Sequence, residues 1–408
     1  MKKQINVPSI IFSRFNEDSS WKSKKFKELL DPTEGIRRGP FGSALKKELF
    51  VQNSEYVVYE QQNAIYDHFN TRYRISEEKY HELKKFILLP GDFIMSGAGT
   101  IGKISLVPEG IEKGVFNQAL IRLRVNKNTD KEFFLQWMRS PEMQNKLTKA
   151  NPASAMVNLV PMSEVKEWDV IVPSLDEQFA IGSLFRTLDD LLASYKDNLA
   201  NYQSLKATML SKMFPKAGQS VPEIRLDGFE GEWEEKEFSK LVKRVTQSSD
   251  SDSLPKVEFE DIISGQGRLN KDISNKFDNR KGIHFKPGYT LYGKLRPYLN
   301  NWLLPKFEGV ALGDFWVFDP NGNDSNFIYY LVQSNRYQKV ANDTSGTKMP
   351  RSDWKSVSST IFAIPQKVAE QQDIGAYFSN LDNLIAAHQE KISQLETLKK
   401  KLLQDMFI

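Results

Sequence analysis

Residues 97–104, Gly-Ala-Gly-Thr-Ile-Gly-Lys-Ile, come within one position of the G-x-x-x-x-G-K-[ST] loop that cradles nucleotide phosphates. That loop needs a hydroxyl after its lysine to reach Mg²⁺, and it must open into a helix whose first amides hold the phosphate. Here the hydroxyl position is Ile104, and the Ile-Ser-Leu-Val that starts there reads as a strand. The glycines therefore predict a tight turn between two strands, leaving Lys103 free to meet a phosphate. A methyltransferase catalytic loop would read Asn/Asp-Pro-Pro-aromatic, whereas 151–154 read Asn-Pro-Ala-Ser. No acidic pair with a nearby strand lysine and no Ser/His/Asp arrangement stands out. With no cysteine there is no thiol nucleophile, thiolate metal site or disulfide, and His68, His81, His284 and His388 lack metal-ligand spacing. Neither catalysis nor a bound cofactor or metal is expected of this chain.

Nucleic-acid contact is better supported. In Tyr292-Gly-Lys294-Leu-Arg296-Pro-Tyr298 cations alternate with aromatics, and a glycine-containing stretch carries Lys348 and Arg351. The first half offers Ser43, Lys46, Lys47, Arg72, Arg74 and Lys103. Lysine and arginine neutralise phosphates, and arginine can also read a base edge through two hydrogen bonds. The net charge of +4 says little, but its distribution is uneven. Between 262 and 306 nine Lys/Arg stand against two acids, while 223–261 is strongly acidic. This suggests one positive face, with an ordinary solvated face as the plain alternative.

The elements that must position these residues occur twice. Residues 177–214 recur at 370–407 with a constant offset of 193, through Glu177-Gln178, Ile181-Gly182, Phe185, Leu188-Asp189, Leu205-Lys206 and Met213-Phe214. Leu188, Tyr195, Tyr202 and Met209 fall seven apart, as do Leu381, His388, Leu395 and Leu402, with no Pro or Gly in 183–214 or 376–407. Such stripes predict two long helices paired antiparallel as a coiled coil, with His388 a packed seam residue. Ser174 and Glu177 read as a capping box opening the first helix. Fainter matches in the same order extend the duplication to the globular parts, for example Pro90-Gly91 with Pro287-Gly288 and 133–140 with 327–334. Those parts read as mixed α/β (α+β): strands from Asp92, Lys103 and Ala119 and over 310–318, and single helices over 130–149 and 325–340. No stretch resembles a signal peptide or a membrane span, and the lack of cysteine fits a reducing cytoplasm.

The chain resembles the specificity subunit of type I restriction-modification systems. The resemblance lies in Ile171-Val-Pro173-Ser-Leu-Asp-Glu177-Gln178 and in Ile364-Pro365 with Glu370-Gln371, each leading into a long helix, the second with one extra residue between Pro and Glu. It extends to Val221-Pro222 through Trp233, Leu295-Arg296-Pro297-Tyr298 and Gly346-Thr-Lys348-Met-Pro-Arg351. It implies two target recognition domains, 1–170 and 215–363, each reading one half of a split, asymmetric duplex DNA sequence. Helical spacers, 171–214 and 364–408, would set the gap, with Glu177, Gln178, Glu370 and Gln371 at the helix starts and partner contacts. The implied partners are two modification subunits bringing S-adenosylmethionine and restriction subunits using ATP and Mg²⁺, so this chain would bind no cofactor itself. The competing reading is a coiled-coil scaffold that bridges proteins without reading DNA.

Overall fold

The computed structural model describes residues 8–10, 12, 15, 21–149, 161–343 and 349–407. It divides into two units, Met1–Ser194 with Ile392–Ile408, and Tyr195–Lys391.

In the first unit the central strand Phe93–Ser96 is apolar and wholly buried. Its four-stranded sheet runs Ile36–Arg38, Leu120–Leu123, Phe93–Ser96, Ile104–Leu106, all antiparallel. A second sheet runs Phe50–Val51, Tyr73–Ile75, Tyr56–Tyr59, Gly114–Phe116, its last pair parallel. Val57, Tyr59, Ile94, Phe116 and Leu120 share one core cluster drawn from both sheets. A ribbon of Lys22–Lys25 and Asp169–Val172 brings the chain to the first long helix, Leu175–Lys212.

The second unit repeats this plan. Its central sheet runs Lys243–Val245, Phe315–Asp319, Thr290–Gly293, Trp302–Leu303, and its second sheet again contains one parallel pair, Lys256–Val257 with Gly309–Ala311. The ribbon Glu234–Glu237 with Ile361–Ile364 leads to the second long helix, Val368–Asp405. In both units a glycine in the left-handed region, Gly91 (φ 85°) or Gly288 (φ 83°), turns the chain into the central strand.

Each unit contains the start of one long helix and the end of the other, packed antiparallel. In the first, Asp189 pairs with Lys399 at 2.5 Å, and Phe407 stacks near Phe185 and Phe133. In the second, Asp382 pairs with Lys206 at 2.7 Å, and Phe214 lies against Phe378 and Phe327. His388 sits between Tyr195 and Tyr202, with ring centroids 5.3 and 5.1 Å away, as a packed seam residue.

Three expectations about elements change. The single helix over 130–149 is two, Lys131–Arg139 and Pro141–Lys149, because Pro141 suits only a helix start. The helix over 325–340 is also two, Ser325–Leu331 and Asn335–Ala341, because Ser334 caps the second through the Tyr337 amide. The strand over 310–318 breaks at Gly313 (φ 89°) into Gly309–Ala311 and Phe315–Asp319, which join different sheets.

Candidate nucleic-acid interface

Each central sheet carries a turn at the exit of its central strand, and the candidate contacts collect there. In the first unit residues 97–103 form a turn between the antiparallel strands Phe93–Ser96 and Ile104–Leu106, closed by the Ser96 amide donating to Lys103 O at 2.8 Å. A phosphate-binding loop would instead run into a helix. Two more loops reach this end of the sheet: the Gly39 amide donates to Leu120 O and the Gly97 amide to Ala119 O. The turn after Gly39 carries Ser43, Lys46 and Lys47, all exposed, together with Phe41, which is 90% exposed. Lys103 is exposed, and no ion-pair partner is seen for it among the described residues.

Arg72 and Arg74 belong to the second sheet and are held by their own domain. Glu60 accepts two hydrogen bonds from Arg72, whose guanidinium also covers the Tyr73 ring at 4.7 Å. Arg74 donates to Ser54 O and to Glu112, both at 2.7 Å. Arg72 keeps an exposed face, whereas Arg74 is largely committed to the protein.

In the second unit Lys294, Arg296 and Arg351 converge. Lys294 and Arg351 both pair with Asp314, at 3.6 and 3.0 Å. The Arg296 amide donates to Pro350 O at 2.7 Å, which brings the two segments side by side. Arg296 itself is exposed. Lys348 lies outside the described residues. Tyr292 is a correction: it is 0% exposed, stacked near Trp316 and edge-on to Tyr337, and burial pushes its hydroxyl up to about 12. It belongs to the core because it sits on the central strand, whose four residues are all buried, with Leu291 in one core cluster and Tyr292 in another. The aromatic that reaches solvent is Tyr298, 58% exposed, which alternation along the motif did not single out.

The expected positive face is also corrected. The acids of 223–261 and the cations that follow meet in space: Lys271 and Lys276 pair with buried Asp261, and Arg280 and Lys276 with Glu258. Arg280 and Lys276 hold the Glu258 carboxyl below its usual range. Burial would raise the Asp261 carboxyl, but Lys276 and Lys271 bring it below the usual range as well. These cations brace the domain, leaving a smaller exposed set.

Glu177, Gln178, Glu370 and Gln371 are all buried, so they cannot form an outward docking surface. They fasten each helix to its own domain. Trp21 Nε1 donates to Glu177 and Trp233 Nε1 to Glu370. Gln178 and Gln371 accept from the amides of Asp130 and Asp324, each at 3.0 Å, and these aspartates cap the helices Lys131–Arg139 and Ser325–Leu331. Ser174 does accept from the Glu177 amide, but the Glu177 carboxylate is taken by Trp21, so the capping box is half formed.

The model for the "Type I restriction modification DNA specificity domain" matches residues 19–201 and again 236–397. The chain belongs to this family. It is a specificity subunit of the type I restriction-modification class, and such subunits are non-catalytic. The family reads DNA, which sets aside the purely bridging scaffold. One relative, a putative type I restriction enzyme MjaX specificity subunit of Methanocaldococcus jannaschii, is 20% identical over 344 residues, 81% of this chain and 80% of its own. The MjaVIII specificity subunit of the same organism is 19% identical, with 97% of this chain and 96% of its own covered. The fold matches that of the S subunit of a type I restriction-modification system from M. genitalium, with a TM-score of 0.61, 15% identity, and 98% and 99% of the two chains covered. Among the described residues of this family member, no cluster of acidic or histidine side chains could hold a metal, and no helix is long and apolar enough to cross a membrane.

Proposed function

We propose that the chain reads a bipartite, asymmetric duplex DNA target, one half-site by domain 1–170 and the other by domain 215–363. The observation that carries this is the repetition of one sheet plan with unlike residues at the same turn: Lys103 behind a glycine loop in one copy, Lys294 and Arg351 paired with Asp314 and an exposed Arg296 in the other. A shared scaffold with divergent exposed loops suits two readers of different sequences. Ser43, Lys46, Lys47, Arg72 and Lys103 serve the first half-site. Lys294, Arg296 and Arg351 serve the second, with Lys348 as a further cation. Methylated adenines mapped in DNA exposed to the assembled complex give the test. Wild type should mark one split motif, and Arg296→Ala should alter only one half of it, by about 1–3 kcal/mol at the affected base. Equal change in both halves would refute the division of labour.

The same reading gives the helices a docking role for two modification subunits, in a cytoplasmic complex whose partners supply S-adenosylmethionine, ATP and Mg²⁺. With the Glu-Gln motifs buried, exposed leucines take that part. In sequence Leu191 stands two residues after Asp189 and Leu398 next to Lys399, the ion pair joining the helices of the first unit, and Leu384 and Leu205 stand likewise to Asp382 and Lys206 in the second. All four are 41–45% exposed, and they repeat at the offset of 193. Two equivalent apolar patches suit two copies of one partner. The double change Leu191→Glu, Leu398→Glu should reduce the bound modification subunits from two to one by native mass spectrometry. Retention of both would exclude this patch.

A further inference from the structure

The turn 296–300 in the second unit is held in a conformation that its residues do not favour. Arg296 (φ 47°) and Asn300 (φ 55°) are both left-handed, a region that asparagine tolerates but arginine seldom visits. The other copy shows the cheaper solution. Gly99 and Arg296 each lie eight residues beyond the left-handed glycines Gly91 and Gly288, and Gly99 (φ 64°) adopts the same region without a side chain. An arginine kept where glycine fits better points to work done by its side chain.

The turn is also pinned. Arg296 N donates to Pro350 O, Gly265 N to Asn300 O, Ser264 Oγ to Leu299 O, and Ser352 N to Lys294 O. Pro297 is buried beneath it, while Tyr298 and Arg296 project into solvent. An aromatic ring with a hydroxyl is thus presented from a pinned backbone, with Lys294 and Arg351 on the adjoining segments. Exposed tyrosine is ordinary on a mobile loop, but one on a pinned backbone loses less entropy on meeting a partner.

We propose that Tyr298 is a specificity-determining residue that touches the edge of one base in the second half-site, with Arg296 contacting DNA beside it. This rests on the reading of 215–363 as a recognition domain. Lys294 and Arg351 neutralise phosphates and set the register, Arg296 reaches a base edge, and the ring supplies a further contact that differs between bases, such as packing on a thymine methyl.

The test uses the full chain assembled with its modification subunits and a duplex library randomised over the second half-site. Tyr298→Ala should relax preference at one position by about 5- to 150-fold, leaving the first half-site unchanged. Arg296→Gly should relax preference in the same half-site with no loss in melting temperature, because glycine accepts the turn. An unchanged base profile for Tyr298→Ala, or equal weakening on all sequences, overturns the proposal. So does an Arg296→Gly variant that melts earlier yet reads the same bases, which would make the arginine structural. If wild type itself selects no split motif, the recognition-domain reading fails instead, and the two failures are told apart.

Discussion

Glu370→Gln should destabilise the second unit by about 3 kcal/mol at neutral pH, while the matching change Glu177→Gln should leave the first unit at least as stable as before. The two glutamates occupy equivalent positions and accept from equivalent tryptophans, yet their surroundings differ. Arg225 donates to both Glu370 oxygens, at 2.7 and 2.8 Å, with the Glu370 side chain buried and that of Arg225 15% exposed. Removing the carboxylate charge strands a guanidinium whose remaining acceptors are the carbonyls of Glu230 and Gly231. Glu177 has Trp21 as its partner, and burial raises its carboxyl above the ordinary 4.5, against the smaller opposing effect of that hydrogen bond. A carboxyl with a raised folded-state value contributes stability that is complete below about pH 4.5 and lost as pH rises through that value. Glutamine mimics the neutral form, so any gain from Glu177→Gln should appear at pH 7 and fade toward pH 4. Calorimetry at the two pH values, with hydrogen exchange to assign each transition to its unit, checks both halves.

Phe407→Ala should cost the first unit about 3–5 kcal/mol, and Phe214→Ala should cost the second a similar amount. Phe407 lies far along the chain from the helices it packs against, but its ring is buried between Phe133 and Phe185, each 5.8 Å away. Phe214 follows the first recognition domain in sequence, yet packs with Phe327 and Phe378 in the second unit. Hydrogen exchange should therefore show lost protection in 131–139 for Phe407→Ala and in 325–331 for Phe214→Ala. Protection lost in the unit that holds the start of the same helix would contradict this exchange of helix ends.

Much of the fold was legible because its signals are periodic or repeated. Seven-residue spacing and the absence of Pro and Gly marked both long helices, and the offset of 193 announced the duplication. The glycine turn at 97–103 was readable because Ile104 broke the phosphate-loop pattern and led into a strand. Direction was harder to read. The alternation from Tyr292 to Tyr298 looked like one surface motif, but the chain leaves a strand at Gly293 and enters a strained turn, so one tyrosine points into the core and the other out. The helix break at Ser334 gives little outward sign because a serine cap sits inside the helical pattern, whereas Pro141 itself marks the break after Arg139.

By itself, the sequence determined that this protein is two copies of one α/β plan, each leading into a long amphipathic helix, and it carried the family resemblance. Periodicity and repetition are properties of order along the chain, so they survive without coordinates. Only the tertiary structure decided which charges are spent inside the molecule and which remain exposed. Asp261 and Glu258 draw in cations that read as a positive face, Arg225 clamps Glu370, and Arg296 and Tyr298 stay outside. Ion pairs and burial depend on distances between residues far apart in sequence, and those distances exist only once the sheets and helix ends have packed.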